Sequence, residues 1–285
     1  MPLQLKQTFR EDLAQQREAG EQRGTGAQPG AAQARPLAGM WLCSGSPVAA
    51  EIAAGSGLDW LLLDMEHSPV TLSALLAQLQ AIAAYPITPM VRIPVGDTVI
   101  IKQVLDLGAQ NLLVPMVSTA EQAQEMVEAV HYPPRGRRGV GSALSRSARW
   151  NRVEGYLGDA AQHGALFVQI ESAEAVENIE EILAVDGIDG IFVGPSDLSA
   201  SMGLLGQQSH PEVVAAVRRC VVAARSAGVP VGVNAFDPAV ARGYARDGVD
   251  FLLVGADVSL LARGSEALAA QWVPTGQDES GRPSY

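Results

Sequence analysis

Eight short apolar runs, each closed by polar or Gly/Pro residues and each followed by an amphipathic stretch, restrict the fold of this chain more than any other feature. The runs span residues 39–43, 60–64, 89–93, 111–117, 166–170, 190–193, 230–233 and 251–254. Between them, residues 71–84, 97–107, 119–130, 173–183, 211–227 and 238–246 carry apolar side chains at helical spacing. Thr71, Asp97, Thr119 and Asp237 stand where helix N-caps belong, and Gly108, Gly228 and Gly248 where helices stop. Runs that are continuously apolar belong to strands covered on both faces, as in parallel sheets wrapped by helices. Eight such units in roughly 235 residues predict an α/β fold of the (β/α)8 barrel type, whose usual size is about 250 residues. The rival, an open doubly wound sheet, would carry a Gly-rich dinucleotide turn after its first strand. Residues 39–57 contain none.

Two segments fall outside the cadence. Residues 1–36 read as a short helix followed by a flexible Gly/Ala/Gln-rich connector over 17–36, ahead of a barrel domain at 37–271. Residues 272–285 read as a disordered tail. The longest connection, 132–151, carries Arg135, Arg137, Arg138, Arg146, Arg149 and Trp150 and is expected to be functional or an interface.

Composition removes several classes of function. A net charge of −11 repels nucleic acid and anionic lipid. No apolar run reaches the ~18 residues of a membrane span. Two cysteines, Cys43 and Cys220, build neither a disulfide framework nor a structural zinc site. These features predict a soluble cytoplasmic protein acting on a small molecule, with no nucleic-acid or membrane partner. Of 20 basic residues 18 are arginine, and the only lysines are Lys6 in the leader and Lys102 within a predicted helix. A barrel that forms a Schiff base needs a lysine projecting from a strand into its mouth, so carbon–carbon chemistry here calls for a metal as the electron sink.

Barrel chemistry sits at the C-terminal ends of the strands. Those ends read Asp64-Met65-Glu66-His67, Arg92-Ile93-Pro94, Gln169-Ile170-Glu171-Ser172, Gly194-Pro195-Ser196-Asp197, Val233-Asn234 and Gly255-Ala256-Asp257. Glu171 and Asp197 follow neighbouring strands, and two hard oxygen donors with open positions suit Mg²⁺ or Mn²⁺. Each carboxylate could instead serve the helix that begins beside it. His67, the one histidine at a strand end, suits proton transfer, or a bond to a backbone carbonyl. Arg92 suits a carboxylate or a developing enolate oxygen, or an ion pair bracing Asp64 or Glu66. A phosphate site at Gly255-Ala256-Asp257, as in phosphosugar isomerases and lyases, and a non-catalytic dicarboxylate-binding barrel are further readings.

Several segments together are similar to the metal-dependent class II pyruvate aldolases: Gly39-Met40-Trp41, Asp59 through His67, Leu113-Val114-Pro115-Met116, Tyr132-Pro133-Pro134-Arg135-Gly136, Val168-Gln169-Ile170-Glu171 and Gly190 through Leu198. They cover about residues 38–270 in order. Gly141-Ser142-Ala143-Leu144 and Arg149-Trp150-Asn151 lean toward members cleaving 4-hydroxy-2-oxoheptane-1,7-dioate rather than 2-keto-3-deoxy sugar acids. The resemblance implies cleavage of a 4-hydroxy-2-oxo acid to pyruvate and an aldehyde such as succinic semialdehyde, with Mg²⁺, Mn²⁺ or Co²⁺ and no nucleotide. It implies that Glu171 and Asp197 bind the metal and that Asp64 holds a water on it. His67 would be the catalytic base, supported by Asp106, and Arg92 would stabilise the enolate. Gln169 and Ser196, with backbone groups of Gly194 and Asp197, would hold the pyruvate part. It further implies a hexamer of paired trimers, with the last helix, 259–270, swapped onto a neighbour. The distal carboxylate of the substrate is expected to meet Arg146 or Arg149. The chain departs from the family at Met65, where glycine is usual, and at Asn234-Ala235-Phe236 in the mouth.

Overall fold

The structure, a computed structural model, describes residues 3–24 and 35–273. Helix α1 (Phe9–Gly24) precedes β1 (Leu37–Leu42), α2 (Pro47–Ala54), β2 (Trp60–Asp64), α3 (Leu72–Ile82) and β3 (Thr88–Arg92). Next come α4 (Thr98–Asp106), β4 (Asn111–Val114), α5 (Ala120–Val130), the single turn α6 (Tyr156–Asp159) and β5 (Ala165–Ile170). Then follow α7 (Ala173–Glu177), α8 (Ile179–Leu183), β6 (Gly190–Val193), α9 (Pro195–Ser201) and α10 (Pro211–Ala227). The chain closes with β7 (Val231–Asn234), α11 (Pro238–Asp247), β8 (Phe251–Ala256) and α12 (Asp257–Trp272). The eight strands pair in chain order, all parallel, into a closed barrel.

The expected caps form: Thr71, Thr119 and Asp237 accept from backbone N–H groups of their first helical turns, as does Asp97. Gly108, Gly228 and Gly248 adopt φ of +90°, +73° and +97°, a conformation cheap only for glycine. The stretch expected as one helix over 173–183 is two. Asn178 interrupts it, donating from Nδ2 to Ser118 O at 2.9 Å and leaving helical geometry at φ −90°, ψ 12°.

Two apolar layers result. One lies between strands and helices. The other fills the barrel interior with Trp60, Phe167, Phe192, Phe251, Leu62, Met90, Leu113, Leu253 and Trp41. Its aromatic rings fit because a glycine stands in register on the next strand: Gly39 beside Trp60, Gly190 beside Phe167, Gly232 beside Phe251. A Cβ at any of the three would come within 2.4 Å of that ring.

The N-terminal helix corrects the sequence expectation. It runs to Gly24, eight residues into the segment expected as connector; residues 25–34 and 274–285 lie outside the described residues. Phe9 is fully buried among Trp60, Phe167 and Phe251, with ring centroids 5.0, 5.6 and 5.2 Å away. Thr8 and Glu11 cap the helix reciprocally, Thr8 N–H donating to Glu11 Oε2 at 2.6 Å. Asn111 Oδ1 accepts from Phe9 N at 2.8 Å, and Arg10 and Arg17 pair with Asp189 and Asp250. Helix α1 therefore closes the barrel floor, leaving the opposite, C-terminal end of the strands as the open mouth.

Candidate active site

Asp64 and Arg92 end adjacent strands in register, so both project into the barrel at one level. Arg92 donates from Nε to Asp64 Oδ1 and from Nη2 to Asp64 Oδ2, both at 2.9 Å. Its Nη1 lies 2.9 Å from Glu66 Oε2, and its Cζ sits 4.2 Å from the centroid of the Trp41 ring. Arg92 and Asp64 are 5% and 1% exposed. The guanidinium is thus fixed on three sides in the mouth: it both braces Asp64 and Glu66 and presents a permanent cation there.

Glu171 follows β5 and is 2% exposed. It does not cap the helix beside it, because Ser172 does so, accepting from Ala175 N at 3.0 Å. Its Oε1 accepts from Met116 N at 2.7 Å and its Oε2 from Gln169 Nε2. Met116 takes a left-handed φ of 56° to aim that N–H, backbone strain of the kind that gathers at functional sites. Burial pushes the Glu171 carboxyl up to about 7; the Met116 N–H opposes this, Asp197 and Glu66 add to it, and Arg92 opposes it. Glu66 is likewise raised, first by burial, against the pull of Arg92 and His67. Asp197 lies exposed in the first turn of α9, whose N-cap is Gly194. A Cβ at Gly194 would come within 2.9 Å of both Gln169 Nε2 and Glu171 Oε2, so glycine here makes room for the glutamate.

This donor set fits a hard divalent cation. Burial of the Glu171 carboxylate outweighs the pull of Arg92, so it is short of counter-charge, and Gln169 Oε1 is buried without a hydrogen-bond partner among the described residues. Among the described residues no group of three or more His, Cys, Asp or Glu forms a complete metal cage. The protein would therefore supply only part of the coordination, as oxygen-liganded catalytic cations commonly require.

Other expected residues are placed differently. His67 stands at the rim, two-thirds exposed, with Nε2 4.0 Å from Glu66 Oε1. Asp106 is not with it. As the last residue of α4 it lies at the floor end, where it pairs with buried Arg138 at 3.0 Å. Ser196 Oγ donates to Gln208 Oε1 at 2.8 Å, away from Gln169. Arg146 donates to Leu107 O at 2.9 Å, and Arg149 to Arg146 O, both beside Gly108 at the floor. They cannot meet a substrate in this chain's mouth, because a helix-to-strand connection returns to the floor of a barrel. The candidate phosphate loop is satisfied internally: Asp257 accepts from Cys43 N at 2.8 Å and Ser44 N at 3.1 Å, putting a carboxylate where phosphate would sit. Lys102 lies on α4, outside the barrel, and Lys6 bonds Tyr85 O, so no lysine reaches the mouth.

Four residues of the mouth were given no catalytic or binding role from the sequence, although Glu66 was named as a possible ion-pair partner of Arg92 and Asn234 as a strand end and a departure from the family. Glu66 is a further carboxylate beside Asp64, Glu171 and Asp197. Trp41 floors Arg92, Met116 bonds Glu171, and Asn234 Oδ1 accepts from Trp41 Nε1 at 2.9 Å. Glu66 and Asn234 carry a readable signal, being polar residues where an apolar strand ends; Met116 carries none, since its role is in its backbone.

Comparison with known proteins agrees with the fold. The sequence model of the family described as HpcH/HpaI aldolase/citrate lyase matches residues 37–264. The hydroxypyruvate/pyruvate aldolase of Deinococcus radiodurans is 51% identical over 246 residues, covering 86% of this chain and 89% of that protein. The 4-hydroxy-2-oxo-heptane-1,7-dioate aldolase of Salmonella dublin is 51% identical over 238 residues, covering 84% and 90%. A crystal structure of an HpcH/HpaI aldolase/citrate lyase family protein from Burkholderia cenocepacia matches with a TM-score of 0.80 at 41% identity, covering 83% of this chain and 94% of that one. With its barrel matched end to end, the chain belongs to the HpcH/HpaI aldolase/citrate lyase family and is a carbon–carbon lyase.

Proposed function

We propose that the chain cleaves 4-hydroxy-2-oxo acids, such as 4-hydroxy-2-oxoheptane-1,7-dioate, to pyruvate and an aldehyde, succinic semialdehyde in that case, as a catabolic enzyme of the cytoplasm. The observation that carries this reading is Glu171, a fully enclosed carboxylate in the same mouth as the fixed Arg92 cation. Glu171 and Asp197 are the residues that would hold a divalent cation, Mg²⁺, Mn²⁺ or Co²⁺. When bound, the cation supplies a Lewis acid for the 2-oxo group.

The chain's own residues would do the rest. Gln169 and the backbone at Gly194 and Asp197 orient the carboxylate end of the substrate, Ser196 joining them once released from Gln208. Arg92, held by Asp64 and Glu66, places an N–H against the oxygen that gains charge as the C3–C4 bond breaks. His67 takes the proton of the C4 hydroxyl. Asp64, already accepting two bonds from Arg92, acts mainly through that arginine and secondarily on a water at the cation. Asp106 enters only in an assembly, from another copy of the chain, because within one chain it lies at the opposite end of the barrel. We place the assembly at a hexamer of paired trimers.

The test is direct. Pyruvate released from 4-hydroxy-2-oxoheptane-1,7-dioate is followed with each cation and after chelation. Metal-dependent release, lost on chelation, is expected; cleavage unaffected by exhaustive chelation contradicts the reading.

A further inference from the structure

We infer that Asn234 decides which 2-oxo acid the site accepts: its side-chain N–H donates to a hydroxyl on substrate C3, extending the range from plain 4-hydroxy-2-oxo acids to 3,4-dihydroxy-2-oxo acids. The inference rests on the aldolase reading above and adds to it a specificity-determining residue, for a donor that the name of the Deinococcus radiodurans relative already includes.

Strand register supplies the first argument. Ile170 pairs with Val193 and Val193 with Val233, so Glu171, Gly194 and Asn234 stand at one level across β5, β6 and β7. Two residues earlier, Gln169, Phe192 and Gly232 form another such row, and Phe192 packs in the barrel interior. Side chains alternate along a strand with a period of two, which turns the Glu171–Gly194–Asn234 row inward as well. Neighbouring strands lie about 4.8 Å apart. A 2-oxo acid whose C1 carboxylate and C2 oxo group are held at Glu171 and Gly194 thus has its C3 within reach of the strand that Asn234 ends.

The orientation of the amide supplies the second. Asn234 Oδ1 accepts from Trp41 Nε1 at 2.9 Å. An indole nitrogen only donates, so the oxygen of Asn234 must be the atom turned toward it. Nδ2, with two hydrogens and no acceptor among the described residues, is turned the other way. Asn234 is half-buried at the mouth. The same Trp41 ring lies under the Arg92 guanidinium at 4.2 Å and meets Phe192 edge-on at 6.3 Å. Asn234 is thereby locked to the group assigned to the enolate oxygen, and its free donor has a fixed position relative to that oxygen.

Chemistry supplies the third. Asparagine is disfavoured in strands, and an apolar residue would complete the run Val231–Val233. A donor fixed at the mouth discriminates by hydrogen bonding: it rewards a ligand hydroxyl and is left unpaired by a bare methyl.

The experiment runs the aldol direction with one fixed aldehyde and two donors, pyruvate and hydroxypyruvate, in the wild type, Asn234→Leu and Asn234→Asp. Aspartate still accepts from Trp41 but has no N–H to give. Any disturbance passed through Trp41 to Arg92 affects both donors and cancels in the ratio of their kcat/KM values. Both variants are expected to lower the hydroxypyruvate-to-pyruvate ratio at least tenfold. A ratio within twofold of wild type in both variants overturns the assignment, as does a wild type that uses pyruvate and ignores hydroxypyruvate. A wild type that enolises neither donor overturns the aldolase reading itself, and this assignment with it.

Discussion

In the proposed reaction Glu171, a buried carboxylate, would also be a ligand for a cation, and that second role would relieve the cost of the first. Without a cation its carboxyl is raised to about 7, so between about pH 4.5 and 7 the folded chain keeps a proton that the unfolded chain has lost. Metal-free stability must then fall as pH rises through that window, by on the order of 3 kcal/mol once above it. Glu171→Gln removes the penalty. At pH 8 the metal-free variant is expected to melt above the metal-free wild type, with the gap closing toward pH 4.5 and with activity lost; equal melting at pH 8 would show the carboxylate to be well solvated. Arg92 illustrates the opposite economy, a buried cation whose three contacts include a bidentate carboxylate. Lysine keeps the charge but not the fork, so Arg92→Lys is expected to fold and to lose about 10²-fold in cleavage rate. A variant within a few-fold of wild type would show that charge alone suffices.

Among the elements, α1 closes the barrel floor with few apolar side chains. Phe9 and Leu13 are its fully buried residues, and Phe9 completes the interior cluster at the floor. Phe9→Ala is expected to cost about 3–5 kcal/mol in urea unfolding; a loss below about 1 kcal/mol would mean that the floor closes without it. The eight strands were legible because burial on both faces leaves continuous apolar runs, and the caps because Ser, Thr and Asp accept from helix N-termini. The plug was not, because a mostly polar helix that inserts one aromatic ring carries no amphipathic signature. The acids and the arginine of the mouth were legible as polar residues at strand ends. Arg146 and Arg149 were misplaced for a reason the sequence did contain: both lie between a helix and the strand after it, which in a (β/α)8 barrel means the floor, and Asp106, ending α4, stands at that same end.

At the scale of the whole molecule, α12 is the element without a home. It has no buried residue, and Leu260, Leu261, Leu268 and Trp272 are 61–81% exposed, an apolar surface that a lone protomer would not keep in water. Among the described residues no helix is long and apolar enough to cross a membrane. A second copy of the chain is the occupant consistent with the proposed hexamer. Leu260→Glu combined with Leu261→Glu is expected to reduce the assembly to smaller species by light scattering; an unchanged mass would place the contacts elsewhere.

The central claim is that this mouth forms the enolate of a 2-oxo acid with a divalent cation at Glu171. It is tested most directly by following the methyl protons of pyruvate in D₂O by NMR, with Mg²⁺, Mn²⁺ or Co²⁺ and then with EDTA, which needs no knowledge of the aldehyde. Exchange is predicted with a cation, lost on chelation and lost in Glu171→Ala. Absence of exchange with every cation, or exchange that survives both EDTA and Glu171→Ala, would contradict it.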